Sequence, residues 1–153
     1  MAVRTSAGTT IHVSAGIPAT YDVTGYAALT YTAIGEVTNL GEFGREYNLV
    51  THNPVATRST VKRKGSYNEG QISLEVGLDT DDAGQILMKT ASASDNDHSF
   101  KITTQNGDVY YFAAQVMSFR VSVGGVDDIT SASIMLELTS NSAGVGIVES
   151  LTA

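Results

Sequence analysis

The sequence predicts a mainly β protein: an antiparallel β-sandwich or barrel with one flanking α-helix at about residues 79–91 and a long loop at about 41–65. Three observations carry that prediction. Apolar and polar residues alternate through 69–78 and again through 130–139, the period-two pattern of strands with one buried face. Asn106-Gly107 sits between two apolar runs, and both residues tolerate the positive φ that a tight hairpin turn needs. One stretch, 79–91, has helical spacing behind a capping residue.

Taken in order, 10–14 reads as a strand with Ile11 and Val13 on one face. The Gly/Ala/Thr/Tyr-rich stretch 16–33 has weak periodicity and reads as an irregular loop with a short strand near Leu29-Thr30-Tyr31. Another short strand is expected at 34–40. The stretch 41–65 has no clear period and contains Asn53-Pro54; loops this long in compact domains usually carry function. Phe43, Tyr47, Leu49 and Val55 within it call for a surface to cover them. In 69–78, Ile72, Leu74, Val76 and Leu78 face one way and Gln71, Ser73, Glu75 and Gly77 the other. In the helix, Asp79 is the expected N-cap, Asp81 and Asp82 favour the first turn, and Ala83, Leu87 and Thr90/Ala91 share a face with Ile86. The strand 109–124 switches its apolar residues from even positions (Tyr110, Phe112, Ala114, Val116) to odd ones (Met117, Phe119, Val121, Val123), which predicts a bulge or bend near Val116-Met117. Ala132, Ile134, Leu136 and Leu138 then face the core, opposite Ser131, Ser133, Glu137 and Thr139. In all, about seven strands are expected in one domain spanning 1–153, with an N-terminal arm (1–9) and a C-terminal arm (141–153).

Cysteine is absent, which excludes disulfides and thiolate chemistry. The chain lacks an apolar run of the ~18 residues needed to span a bilayer, and its first residues lack a signal-peptide core, so it is expected to be soluble and made in a cytoplasm. The net charge of −7 argues against general nucleic-acid binding. That charge is unevenly spread. Residues 1–68 carry six basic and four acidic groups, whereas 69–153 carry three basic and twelve acidic ones. Such a chain can associate head to tail, basic part against acidic part.

A search for reaction chemistry finds little. Asp79-Thr80-Asp81-Asp82-Ala83-Gly84 resembles a calcium loop only superficially: position five is Ala83 and position twelve is Thr90, where the chemistry needs oxygen ligands and a bidentate Glu. Asp95, Asp97 and His98 have no second ligand cluster beside them. His12, His52 and His98 lie in unrelated contexts, no Ser stands in a G-x-S-x-G turn, and Lys64-Gly65-Ser66 has the wrong order for a phosphate loop. Accordingly no catalytic residue, metal or cofactor is expected. The basic cluster Arg58, Lys62, Arg63 and Lys64 lacks the interleaved aromatics of a nucleic-acid site and suits a docking loop for an acidic neighbour better.

Several segments in a fixed order carry a family resemblance: Glu42-Phe43-Gly44-Arg45-Glu46-Tyr47, Thr60-Val61-Lys62-Arg63-Lys64-Gly65, the strand 70–78, the helix 79–91, the hairpin 100–112, Val116-Met117-Ser118-Phe119 and the strand 130–139. Over residues 34–140 the chain resembles the major tail tube proteins of long-tailed bacteriophages. The resemblance implies a non-enzymatic β-sandwich with one helix, self-assembly of its copies into hexameric rings, and stacking of those rings into a tube that conducts DNA from capsid to host. It also implies tape measure and terminator or baseplate proteins as partners, no membrane, and a place in the virion tail after assembly in the host cytoplasm. Mapped onto this chain, Arg45, Arg58, Lys62, Arg63 and Lys64 are expected in the loop that reaches the adjacent ring. Gln71, Ser73, Glu75 and Glu137 are expected to face the lumen, where genomic DNA passes without specific binding. Two alternatives stand beside this: a baseplate or contractile-injection-system ring protein, and, from another class, a carbohydrate-binding β-sandwich using Tyr110 and Tyr111.

Overall fold

The computed structural model describes residues 3–151; residues 1–2 and 152–153 of the expected arms lie outside the described residues. The elements are β1 (Thr10–Ser14), α1 (Val23–Ala27), β2 (Thr32–Ala33), β3 (Val37–Asn39), β4 (Glu46–His52), β5 (Val61–Asn68), β6 (Gln71–Gly77), α2 (Ala83–Ser92), β7 (His98–Thr103), β8 (Val109–Ser122), β9 (Ser131–Thr139) and β10 (Val148–Ser150). Eight of the strands form one curled antiparallel sheet in the order β2-β1-β7-β8-β9-β6-β3, with β10 beside the first residues of β8. The remaining two, β4 and β5, form a separate ribbon.

The alternation in β6 and β9 places the core. Ile72, Leu74 and Val76 are fully buried and pair with Leu136, Ile134 and Ala132. Burial of each larger aliphatic side chain contributes roughly 1.5–3 kcal/mol. Phe100, Ile102, Phe112, Ala114, Ile11 and Val13 extend the same layer across β7, β8 and β1. The change of phase in β8 is a β-bulge: Val116 pairs with Leu136 and Ser118 with Met135, so Met117 is the extra residue and projects outward. Beyond it, Phe119 and Val121 sit opposite Ile134 and Ala132, and the polar residues Ser118, Arg120 and Ser122 turn to the other face.

Helix α2 begins later than expected. Its N-cap is Asp82, not Asp79, and its Oδ2 accepts from Gln85 N at 2.9 Å. Asp79 instead closes the preceding turn, accepting from Asp82 N through its carbonyl and from Asp81 N through its carboxylate. The buried face is correspondingly Gly84, Gln85, Met88 and Ala91, while Ile86 is exposed. Gly84 has no room for a side chain, because a Cβ there would overlap the backbone of Ala33 and Ile34. Gln85 was not anticipated. Its buried amide donates to Gly35 O (3.1 Å) and Gly77 O (2.9 Å) and accepts from Asp79 N (3.0 Å), so one side chain joins helix, sheet end and the β2–β3 connection.

The irregular stretch 16–33 holds a second helix. Asp22 caps α1 through Gly25 N at 2.7 Å. Tyr26 from α1 stacks on Tyr111 of β8 with ring centroids 5.5 Å apart, and Tyr31 Oη donates to Tyr26 O. Burial pushes the Tyr26, Tyr31 and Tyr111 phenols up. A helix of five residues is too short to show periodicity, which is why only its aromatic and glycine content is visible in sequence. The strand expected over 34–40 is confined to Val37–Asn39, because Glu36 takes a left-handed conformation (φ 57) that turns the chain.

Candidate assembly surfaces

Two surfaces stand out. The first is the ribbon. The stretch expected as a loop over 41–65 contains all of β4 and most of β5, and every residue of β4 is exposed. No amphipathic period marked it, because neither face is buried within the chain. Leu49 is 66% exposed and Val50 51% exposed, on opposite faces of the ribbon, and Val55 at the tip is fully exposed. A two-stranded ribbon is marginally stable alone in water, and apolar groups on both faces call for a covering partner.

The base of the ribbon is well anchored. Arg45 donates to Glu69 Oε1 through Nη2 (2.8 Å) and Nε (3.1 Å), and its guanidinium lies 3.9 Å from the centre of the Tyr67 ring. Hydrogen bonds to Tyr47 and Glu69 raise the Arg45 pKa further above its ordinary value. Glu69 is buried, so this pair fixes the point where ribbon joins sheet. Tyr47 and Tyr67 meet edge to face at 5.4 Å, and Tyr67 Oη donates to Gly144 O. Gly70, with φ 93, makes the turn into β6.

The basic residues are therefore not one cluster. Arg45 belongs to the base. Lys62 and Lys64 share the ribbon face of Leu49 and Tyr47, where Lys64 Nζ lies 4.7 Å from the Tyr47 ring centre. Arg63 stands on the other face, with Val50. Arg58 lies in the tip. The run Lys62-Arg63-Lys64 reads as a single positive patch only until its strand conformation splits it.

The second surface is the non-core face of β8, β9 and β6. Here Gln71, Ser73, Glu75 and Glu137 do share one face, in cross-strand rows. The rows run Gln115–Glu137–Gln71, Ser118–Met135–Ser73, Arg120–Ser133–Glu75 and Ser122–Ser131–Gly77. The sequence reading omitted the β8 contribution. Arg120 was readable from the change of phase at Met117, which puts residues 118, 120 and 122 on this face. Beyond Ala114, among the described residues, no strand pairs with the β7-side edge of β8; on the far side, three-residue β3 covers only part of β6. This three-strand patch thus has largely open hydrogen-bonding edges on both sides.

Other candidate sites are occupied by structure. Tyr111 is buried under Tyr26, and Tyr110 packs edge to face on Phe43 at 5.2 Å, so neither forms the exposed platform that sugar binding needs. His98 is buried with Nδ1 3.1 Å from Asn96 O. Among the described residues no cluster of His, Asp or Glu is grouped to hold a metal ion.

The fold is thus a curled sheet with a capping helix, a polar three-strand face and a projecting ribbon. Among solved structures, the chain is similar to a component of the PVC extracellular contractile injection system, seen with its sheath/tube terminator (12% identity, TM-score 0.66, 99% of each chain covered). It is similar to the SPP1 tail tube (15% identity, TM-score 0.64, 94% of this chain and 77% of that one) and to a component of the anti-feeding prophage baseplate (9% identity, TM-score 0.63, 92% and 94%). The chain has the fold shared by tail tube and contractile-injection tube proteins. No family model and no curated protein matches it.

Proposed function

We propose that this chain is a structural tube subunit whose copies close side by side into a ring, hexameric by the family resemblance, and whose rings stack into a tail tube. The observation that supports this most is the β4–β5 ribbon, an ordered element with apolar groups on both faces and no covering surface among the described residues of its own chain. A heterologous contact that closes makes a ring, and one that repeats along an axis makes a stack. The open edges of the β8–β9–β6 patch supply the side-by-side contact by strand pairing. The ribbon, with Arg58, Lys62, Arg63 and Lys64, reaches the adjacent ring, and Arg45 holds its base.

In this arrangement Gln71, Ser73, Glu75 and Glu137 face the lumen together with Gln115, Ser118, Arg120 and Ser133. Two carboxylates against one guanidinium, among hydroxyls and amides, offer phosphates no dense cationic lattice, so DNA passes without being held by counterion release. The role is non-enzymatic and the site is the virion tail, assembled in the host cytoplasm with tape measure and terminator or baseplate proteins as partners. A second reading, a ring protein of a contractile injection system, is favoured by the full-length likeness to the PVC component; co-purification with a contractile sheath would select it. Electron microscopy of concentrated purified protein tests both readings: rings and tubes are expected, and a strictly monomeric sample overturns them.

A further inference from the structure

The ribbon has a counterpart at the other end of the sheet. Gln71 begins β6 directly after the ribbon, whereas Gly77 ends it and leads through Leu78 toward α2. Seven residues of strand separate the two ends by roughly 20 Å. At the far end a groove of about 300 Å³ opens between α2 and the half of β8 that pairs with β9 but, among the described residues, with no strand on its β7-side edge; it is walled by Leu78, Ile86, Phe119 and Val121. Ile86 is 51% exposed and Val121 52% exposed. Leu78 N donates to Thr130 O, which joins the groove to the β8–β9 loop with its exposed Val126 and Ile129. Asp79 and Lys89 are the charged residues that line the groove; Asp81 follows Asp79 by two residues, and Asp127 is exposed in the β8–β9 loop.

We infer that this groove seats the ribbon tip of a second copy. Val55 enters between Ile86 and Val121, and Arg58 and Lys62 meet Asp79, Asp81 and Asp127. Three observations converge on that occupant. Val55 is an exposed apolar group at the apex of a turn closed by Thr57 N donating to Pro54 O. The groove is walled by apolar side chains with Asp79 in its lining and Asp81 two residues beyond, while the tip is apolar at its apex and basic behind it. The ribbon base and the groove lie at opposite ends of β6, so knob and slot are different surfaces and their contact is heterologous, the kind that can repeat along an axis. This inference rests on the stacked-tube reading and names the surface that receives the ribbon.

Cysteine is absent from the chain, so introduced cysteines report only on themselves. The doubly substituted full-length chains V55C/I86C and V55C/V121C change exposed positions, and melting midpoints matching the parent verify that they fold. After assembly and mild oxidation, a non-reducing gel is expected to show a ladder of dimers, trimers and longer chains, with V55C alone giving no ladder. Normal tubes by microscopy without a ladder in either pair overturn the groove assignment and leave the tube reading standing; a parent protein that forms neither rings nor tubes overturns both. In a second arm, D81K/D127K is expected to lower tube yield about tenfold or more, and adding R58E/K62E to the same chain to restore it. An undiminished yield in D81K/D127K also overturns the assignment.

Discussion

Strands β5 and β6 are joined through Glu69-Gly70 and differ in almost everything else. In β6 every second side chain is fully buried against β9; in β5 nearly every residue is exposed. Both contain strand-forming residues, so local propensity does not separate them. What separates them is the partner. β6 lies between β9 and β3 over a core, whereas β5 has only β4. One strand is stabilised within its own chain, and the other carries apolar surface that the described residues leave exposed. Under the proposed tube role, the difference divides the molecule into a part that folds and a part that assembles.

The largest test of that division is in the core. Phe112→Ala, at a fully buried position stacked on Phe100, is expected to cost about 3–5 kcal/mol in urea unfolding. Leu49→Ala in the ribbon is expected to change monomer stability by no more than about 0.5 kcal/mol while reducing tube yield. Equal losses of stability from the two would break the comparison. Next in size, Gln85→Leu leaves two carbonyls and one amide N–H without their partner and is expected to cost roughly 1–3 kcal/mol, read by the same unfolding curve. A smaller effect concerns charge in the ribbon. Reversal of Lys62, Arg63 and Lys64 is expected to impair stacking and leave the melting midpoint of the monomer within a degree or two, because exposed charges contribute little to folding; tubes of normal length would remove the electrostatic role of the ribbon.

The smallest expected effect is on pH dependence. Burial, and secondly the facing Lys101, hold the His12 imidazole below its ordinary value of 6.5. The folded state therefore disfavours the proton. Stability from this group is complete above the unfolded pKa and declines as pH falls below about 6.5 toward the folded value. Unfolding curves between about pH 7.5 and 5.5 are expected to show that decline in the parent and a flatter profile in His12→Gln. An unchanged slope would remove His12 as its source.

Much of the sheet was readable because burial on one face leaves a period-two trace. This held for 69–78, for 130–139 and for the Asn106-Gly107 hairpin, and even the bulge at Met117 showed as a change of phase. The ribbon escaped the same reasoning because it has no buried face to impose a period. Helix α1 escaped because five residues cannot display one. The cap of α2 was misplaced by three residues because Asp79, Asp81 and Asp82 are all competent caps, and only the seating of Gln85 between Gly35 and Gly77 selects Asp82.

The lumen candidates Gln71, Ser73 and Glu75 could be grouped from alternation alone, since residues two apart on a strand must share a face, and Glu137 joined them as lying opposite the core face of its own strand. Their alignment with Gln115, Ser118 and Arg120 required the register of β8 on β9, a long-range pairing that no local pattern encodes. The basic run 62–64 shows the same limit in reverse. By itself the sequence determined which strands bury a face, where the chain turns and how its charge is divided between the halves, because these follow from side-chain type and spacing. Only the tertiary structure decided that Lys62, Arg63 and Lys64 point to two sides of a ribbon and that the ribbon base and an apolar-walled groove lie at opposite ends of one strand. Those relations depend on which distant segments pack together, and close packing selects that from the whole chain at once.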